Sequence, residues 1–220
     1  MPLPMLPAWA LAALLVPTPA PSHVSIGLAT LHAAALTTAR GSADQSDAPY
    51  FLVSVVGPRV SNSARLPAGA RFGIVNNGIV QPTVLQQVDL DPGDSVRVVI
   101  SVLEAESGDL APETDAAKAV TLALSGLPRP LLDPAGPVLG PAVAGLQGAG
   151  AHWIGAVSLL LTNEGGSTFW RRMDCAQDCE VLQGLPGQGG AELKGPVNGV
   201  FELRGAGGTY HLQLSLRPAA

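Results

Sequence analysis

Short runs of alternating hydrophobic and polar residues, separated by Gly and Pro, recur along most of the chain. A period of two places hydrophobic side chains on one face of a β-strand and polar side chains on the other. In residues 210–216, Tyr and three Leu share one face, while His, Gln and Ser share the face expected to meet solvent. The pattern predicts about eight strands: 24–28, 50–56, 84–90, 95–103, 153–162, 167–173, 200–204 and 210–216.

Turn sequences separate several of these strands. Residues 91–94 (Asp-Pro-Gly-Asp) carry Pro and Gly at the two central positions. This suits a type II turn, because Pro presets φ at the first position and Gly accepts a positive φ at the second. Residues 163–166 (Asn-Glu-Gly-Gly) and 205–208 (Gly-Ala-Gly-Gly) predict two hairpins.

Two segments depart from the strand pattern. Residues 112–124 begin with Pro and acidic residues, continue with Ala and Leu and stop before Gly126, which predicts one short helix. Residues 126–150 are rich in Pro and Gly, with Arg129 and Asp133 as their only charged residues. They are interpreted as a long insertion or flexible loop.

Strands joined by tight turns, with little helix signal, predict an all-β fold of the antiparallel β-sandwich type. The chain has 220 residues, which is enough for one domain of ordinary size with its own hydrophobic core. We place this single domain at residues 23–218, including the loop at 126–150.

The N-terminus has the features of a secretory signal. Residues 9–16 form a compact apolar run, Pro and small residues follow up to Ala20, and no Lys, Arg, Asp or Glu precedes Arg40. Residues 1–22 are therefore interpreted as a signal peptide, with cleavage after Ala20. The run is too short and too rich in Pro to span a bilayer, so no transmembrane segment is expected in the mature chain. This indicates a secreted, periplasmic or cell-envelope protein; the alternative is an apolar tail on a cytosolic one.

The charge pattern argues against two classes of partner. Charged residues make up 13% of the chain, the formal net charge is −5, and the densest basic pair is Arg171–Arg172. Phosphate backbones and anionic lipid surfaces are bound by clusters of Lys and Arg, which are missing from the sequence. Neither nucleic acid nor an anionic lipid surface is therefore an expected partner.

Two cysteines, Cys175 and Cys179, are separated by three residues. A disulfide between them would suit an exported protein and would contribute about 2 kcal/mol in the chain-entropy model. Free structural thiols are an alternative. A zinc site would need two further ligands, and no His is close in sequence.

Motifs of known catalytic chemistry are missing from the sequence. It has no nucleophile elbow, Walker loop, HExxH or EF-hand loop, and its four His residues are scattered. The sequence therefore predicts no catalytic residue and no certain cofactor.

Three segments resemble C2-like β-sandwich domains, closest to uncharacterised bacterial members. Residues 44–53 (Asp-Gln-Ser-Asp-Ala-Pro-Tyr-Phe-Leu-Val) are similar to the Ser-Asp-Pro-Tyr-Val that opens a strand in that family. Residues 98–106 are similar to its strand ending in Asp-x-Asp, and residues 153–157 include its Ile-Gly pair. The resemblance covers residues 24–217.

The resemblance implies that strand-end loops gather acidic residues at one tip of the sandwich. The implied calcium ligands are Asp44, Asp47, Glu104 and Glu106, with Asp109 as a further candidate. Ca²⁺ takes six to eight oxygen ligands, so these carboxylates with backbone carbonyls could hold one ion. Two departures matter: Glu replaces the family's Asp, and residues 151–153 supply no carboxylate. The alternative is a solvated acidic loop.

Taken together, these features predict a non-catalytic, secreted or cell-envelope domain, with weak Ca²⁺-assisted surface binding as a sharper version. Its expected partner is an unidentified protein, glycan or membrane surface. One alternative is a hydrolase with a dispersed active site on a β-sandwich. Another is a purely structural module in which residues 126–150 act as a spacer.

Overall fold

The computed structural model describes residues 20–37, 46–47, 49–67, 74–75, 83–105, 144–145, 147–148, 150–175, 179–183 and 191–219. Every strand predicted from the sequence is present, and each is part of a strand at least one residue longer. The described strands are β1 (Ser22–Ala35), β2 (Ser46–Asp47), β3 (Pro49–Val56), β4 (Ser61–Leu66), β5 (Ile74–Val75), β6 (Thr83–Leu90), β7 (Ser95–Ala105), β8 (Ala151–Glu164), β9 (Ser167–Cys175), β10 (Cys179–Gln183), β11 (Ala191–Glu192), β12 (Val197–Gly205) and β13 (Gly208–Pro218).

The strands form two large antiparallel sheets. One has the order β10-β12-β13-β1-β6, the other has the order β11-β9-β8-β7-β3-β4, and β2 pairs separately with β5. One core cluster contains buried residues from both large sheets, and its first and last members in sequence are Val24 and Leu216. The all-β, antiparallel sandwich prediction is therefore confirmed.

The predicted helix and long loop fall mainly outside the described residues. Residues 112–124 lie wholly outside them. Within the predicted loop, residues 144–145 and 147–148 are helical and exposed. Among the described helical residues, none forms a helix long and apolar enough to cross a membrane.

The closing strand β13 follows its hydrophobic pattern with one exception. Tyr210, Leu212 and Leu214 are fully buried in the core, as the alternation predicts. Ser215, on the opposite face, is also buried, although the pattern predicts that it meets solvent. Its hydroxyl lies over Gly27 of the neighbouring β1, where any Cβ would come within 2.8 Å of it. Because Gly27 has no side chain, the space beside it is free for the Ser215 hydroxyl.

Strand β3 is buried on both faces. Phe51 and Val53 belong to the core between the two sheets. Tyr50 and Leu52 point to the opposite face and are equally buried. A strand covered on both sides needs apolar residues at successive positions, which explains why the run from Tyr50 to Val56 is apolar except at Ser54 and does not alternate.

The predicted turns are confirmed by their backbone geometry. Asp94 N donates to Asp91 O at 2.9 Å and Gly93 has a φ of 86°, as a type II turn requires. Gly165 and Gly166, between β8 and β9, both have positive φ, which matches the right-handed twist of a hairpin.

Asn163 ties three separate segments together and is fully buried. Its Nδ2 donates to Leu90 O at 2.8 Å and to Ala20 O at 3.2 Å, and its Oδ1 accepts from Gly166 N at 3.0 Å. Its backbone also bonds to both Gly93 and Asp94 in the β6–β7 turn. One side chain thus joins the β8–β9 hairpin to the end of β6 and to the residues before β1.

We expect Asn163→Ala to lower the free energy of unfolding by about 2 kcal/mol, because two carbonyls and one amide lose a buried partner. Chemical denaturation would measure the loss. Asn198→Ala, at an exposed position on β12, is the matched control and should change the free energy by less than about 0.5 kcal/mol. Equal stability of the two variants would contradict this role for Asn163.

Candidate functional site

Two of the four predicted calcium ligands fall within the described residues, and both are buried. Asp47 in β2 is 3% exposed and Glu104 near the end of β7 is fully buried. Asp44 and Glu106 lie outside the described residues, as does Asp109. The alternative of a solvated acidic loop is therefore wrong for Asp47 and Glu104.

Asp47 is the acceptor at the centre of a buried hydrogen-bonded cluster. Its Oδ2 accepts from Thr37 N at 2.9 Å and from the Tyr210 hydroxyl, and its Oδ1 accepts from Thr37 Oγ1 at 2.9 Å. Thr37 follows β1 and Tyr210 belongs to β13, so the carboxylate links β2 to the five-stranded sheet. We call Asp47, Thr37 and Tyr210 the Asp47 cluster.

Burial and two carboxylates raise the pKa of Tyr210. Burial contributes most, because it penalises the charged phenolate; the hydrogen bond to Asp47 follows, and the negative charges of Asp47 and Glu104 add to the rise. Asp47 and Glu104 thus act on the same hydroxyl. Tyr210 therefore remains protonated at neutral pH and donates its hydrogen bond.

The described residues contain no group of three or more His, Cys, Asp or Glu placed to hold a metal ion. The four-residue calcium site stays a prediction, because half of its ligands lie outside the described part of the chain. Asp47 already accepts three hydrogen bonds, and an ion would have to compete with these donors.

Cys179 opens β10, is half-buried and packs against the core. Cys175 ends β9 in the other sheet, and its side chain lies outside the described residues. The disulfide between them stays a prediction.

A groove of about 300 Å³ opens along one side of the sandwich, between β4 and β6. These strands are edges of the two large sheets. Buried valines contributed by the core, Val55, Val88 and Val96, line part of it. Its polar lining includes three amide side chains, Asn62, Gln86 and Gln87. We call this cavity the edge groove.

The edge groove also holds charged residues that pair with one another. Arg59 forms ion pairs with Asp91 and with Asp94, the latter at 3.4 Å. Asp89 pairs with the Nδ1 atom of His23 at 2.6 Å. Three Asp against one Arg leave the lining with a negative balance, which disfavours anionic ligands.

Sequence reasoning did not find the edge groove. Its lining comes from the edge strands β4 and β6, from the turns beside them and from Val55 of β3 and Val96 of β7, and only sheet packing brings these segments together. The available signal was the pair Gln86–Gln87, which interrupts the apolar residues of β6.

The outer face of the five-stranded sheet carries a second polar arrangement. His32, His211 and Glu202 lie opposite one another on β1, β13 and β12. His211 Nε2 lies 2.9 Å from Glu202 Oε2, and Arg204 forms ion pairs with both Glu202 and Glu180. The hydrogen bond with His211 holds the pKa of Glu202 below its usual value, with Arg204 adding to the effect, so Glu202 is a carboxylate at neutral pH.

Comparison with known proteins adds no family. Models of protein families, curated proteins and solved structures all give no significant match to this chain. The resemblance to C2-like domains therefore stays a prediction.

Proposed function

We propose that this chain is a non-catalytic recognition domain of the cell exterior or envelope that binds a neutral glycan in the edge groove. The observation that carries the proposal is the composition of that groove. Amide side chains from both edge strands lie beside buried valines, so hydrogen-bonding groups and an apolar surface share one concavity. Sugar rings present hydroxyl groups and C–H surfaces together, which suits such a lining.

The charges of the groove support a neutral ligand in preference to an anionic one. Arg59 is engaged by Asp91 and Asp94, so the cation that would attract an anion is already paired. The lining has no aromatic side chain among the described residues, which limits stacking on a sugar ring. Binding is therefore expected to be weak.

The test is to titrate the chain with a panel of soluble neutral oligosaccharides and to measure binding by calorimetry or NMR. Asn62→Ala should weaken binding about fivefold, because a lost hydrogen bond is worth about 1 kcal/mol. Asn198→Ala removes the same amide from an exposed strand position outside the groove and should leave binding unchanged. Equal affinities of the two variants, or no binding by any oligosaccharide, would contradict the proposal.

Calcium-assisted contact through the predicted calcium ligands is the finer version of the expected function and needs a separate experiment. The same titrations are repeated with Ca²⁺ and with a chelator. Binding that requires Ca²⁺ and is lost in Asp47→Asn, but not in Asn62→Ala, would show that recognition takes place at the predicted calcium ligands and not in the edge groove.

The His23–Asp89 pair favours a second candidate, a hydrolase, because Asp89 lines the groove and an imidazole paired with a carboxylate can act as a base. Such an enzyme also needs a nucleophile or an activated water beside His23. Mass spectrometry of the oligosaccharides after incubation would detect products. Cleavage that disappears in His23→Gln would establish the hydrolase in place of the binding domain.

A further inference from the structure

We propose that His32 and His211 form a binding site for a divalent transition-metal cation, with Zn²⁺ as the probe, on the outer face of the five-stranded sheet. The two residues are direct cross-strand partners on β1 and β13. Their ring centroids are 5.8 Å apart and the rings are tilted by 42°. We call them the histidine pair.

The spacing of the rings fits a shared ion. A Zn–N bond of about 2.1 Å places each ring centroid about 3.2 Å from the metal. Two imidazoles at a tetrahedral angle then have centroids about 5.2 Å apart. The observed 5.8 Å differs from this by an amount that small side-chain rotations can supply.

Glu202 completes the arrangement from the neighbouring strand. Its Oε2 lies 2.9 Å from Nε2 of His211, which leaves the Nδ1 atom of that ring for a ligand. A metal-binding imidazole characteristically donates its other N–H to a carboxylate, which fixes the ring and makes the coordinating nitrogen more basic. Glu202 is therefore a positioning residue for His211.

The surroundings favour a cation and allow its entry. His32 and His211 are both partly exposed, so solvent reaches the rings and water can fill the remaining coordination positions. Two carboxylates of this face, Glu202 and Glu180, share one guanidinium within the described part of the chain, that of Arg204. Imidazole ligands suit Zn²⁺, Cu²⁺ and Ni²⁺, whereas Ca²⁺ takes oxygen ligands, so this site is chemically distinct from the predicted calcium site.

The test is calorimetric titration of the chain, carrying no polyhistidine tag, with Zn²⁺, together with NMR of the imidazole nitrogens. His32→Gln and His211→Gln should each abolish the binding, and Glu202→Gln should weaken it about tenfold. His23→Gln, on the same sheet and paired with Asp89, is the matched control and should bind like the wild type. The imidazole signals of His32 and His211, and not those of His23 and His152, should shift.

Zinc bound through the cysteines is the main competing result, and the double variant Cys175→Ser/Cys179→Ser separates it. Survival of binding in that variant supports the histidine pair. Loss of binding there, or unchanged binding in both His32→Gln and His211→Gln, would overturn the proposal. A titration that shows no binding of Zn²⁺ to the wild type would also overturn it, and His32, His211 and Glu202 would then be polar contacts that stabilise the sheet.

Discussion

Gly205→Ala is expected to lower the free energy of unfolding by about 3 kcal/mol, at the upper end of the usual cost of overpacking. A Cβ at this position would lie 2.5 Å from the carbonyl oxygen of Ile154 and 2.6 Å from that of Trp153. These are main-chain atoms of β8, an interior strand of the opposite sheet, so a side-chain rotation cannot relieve the clash. Strand β12 or β8 must move instead.

Thermal unfolding followed by circular dichroism would measure the effect. For a chain of this size, a loss of about 3 kcal/mol corresponds to a fall in Tm of roughly 6–12 °C. Gly195→Ala is the matched control, because a Cβ at Gly195 meets no atom within 4 Å. Its Tm should stay close to that of the wild type. If Gly205→Ala has the same Tm as Gly195→Ala, the close approach of β12 to β8 is contradicted.

Asp47→Ala is expected to cost about 3 kcal/mol of unfolding free energy, because it leaves three donors without their acceptor. Those donors are the Thr37 amide, the Thr37 hydroxyl and the Tyr210 hydroxyl. The Tyr210 side chain is completely buried, so water cannot easily replace the lost carboxylate. Asp47→Asn should be milder, since it keeps one oxygen that can accept from Thr37.

Chemical denaturation in the presence of a chelator isolates this structural role from calcium binding. If Asp47 acts through its hydrogen bonds, the loss is the same with Ca²⁺ and without it. Tyr210→Phe, which deletes one of the three donors, should be less destabilising than Asp47→Ala. A loss that appears only when Ca²⁺ is present would instead identify Asp47 as a calcium ligand.

The sequence predicts the longer strands well, including the edge strand β6, but it misses β4 and β10, which also lie at sheet edges. Strand β4 (Ser-Asn-Ser-Ala-Arg-Leu) has no hydrophobic alternation and is half-buried to exposed. Strand β10 exposes Val181 and Leu182. Both are strands because their backbones pair with β3 and β12, and this pairing does not depend on burying one face of the added strand. A pattern of hydrophobic positions therefore cannot reveal them.

For the candidate sites too, some features are visible in the sequence and others appear only in the structure. The acidic residues near positions 47 and 104 stand out in the sequence, but charge alone suggests exposure, and the structure buries both Asp47 and Glu104. Thr37 and Tyr210, which bind Asp47, carry no sequence signal that connects them to it. The four His residues are scattered in sequence, yet His32 and His211 are neighbours in the sheet.

What the sequence alone determined is local: which segments extend, which residues turn, and which face of a strand avoids water. These follow from backbone preferences and from a two-residue period, and both act over a few neighbouring positions. The order of strands in each sheet, the burial of Asp47 and Glu104, the edge groove and the histidine pair were decided only by tertiary structure. Each depends on residues distant in sequence, whose meeting is set by the pairing and packing of whole sheets.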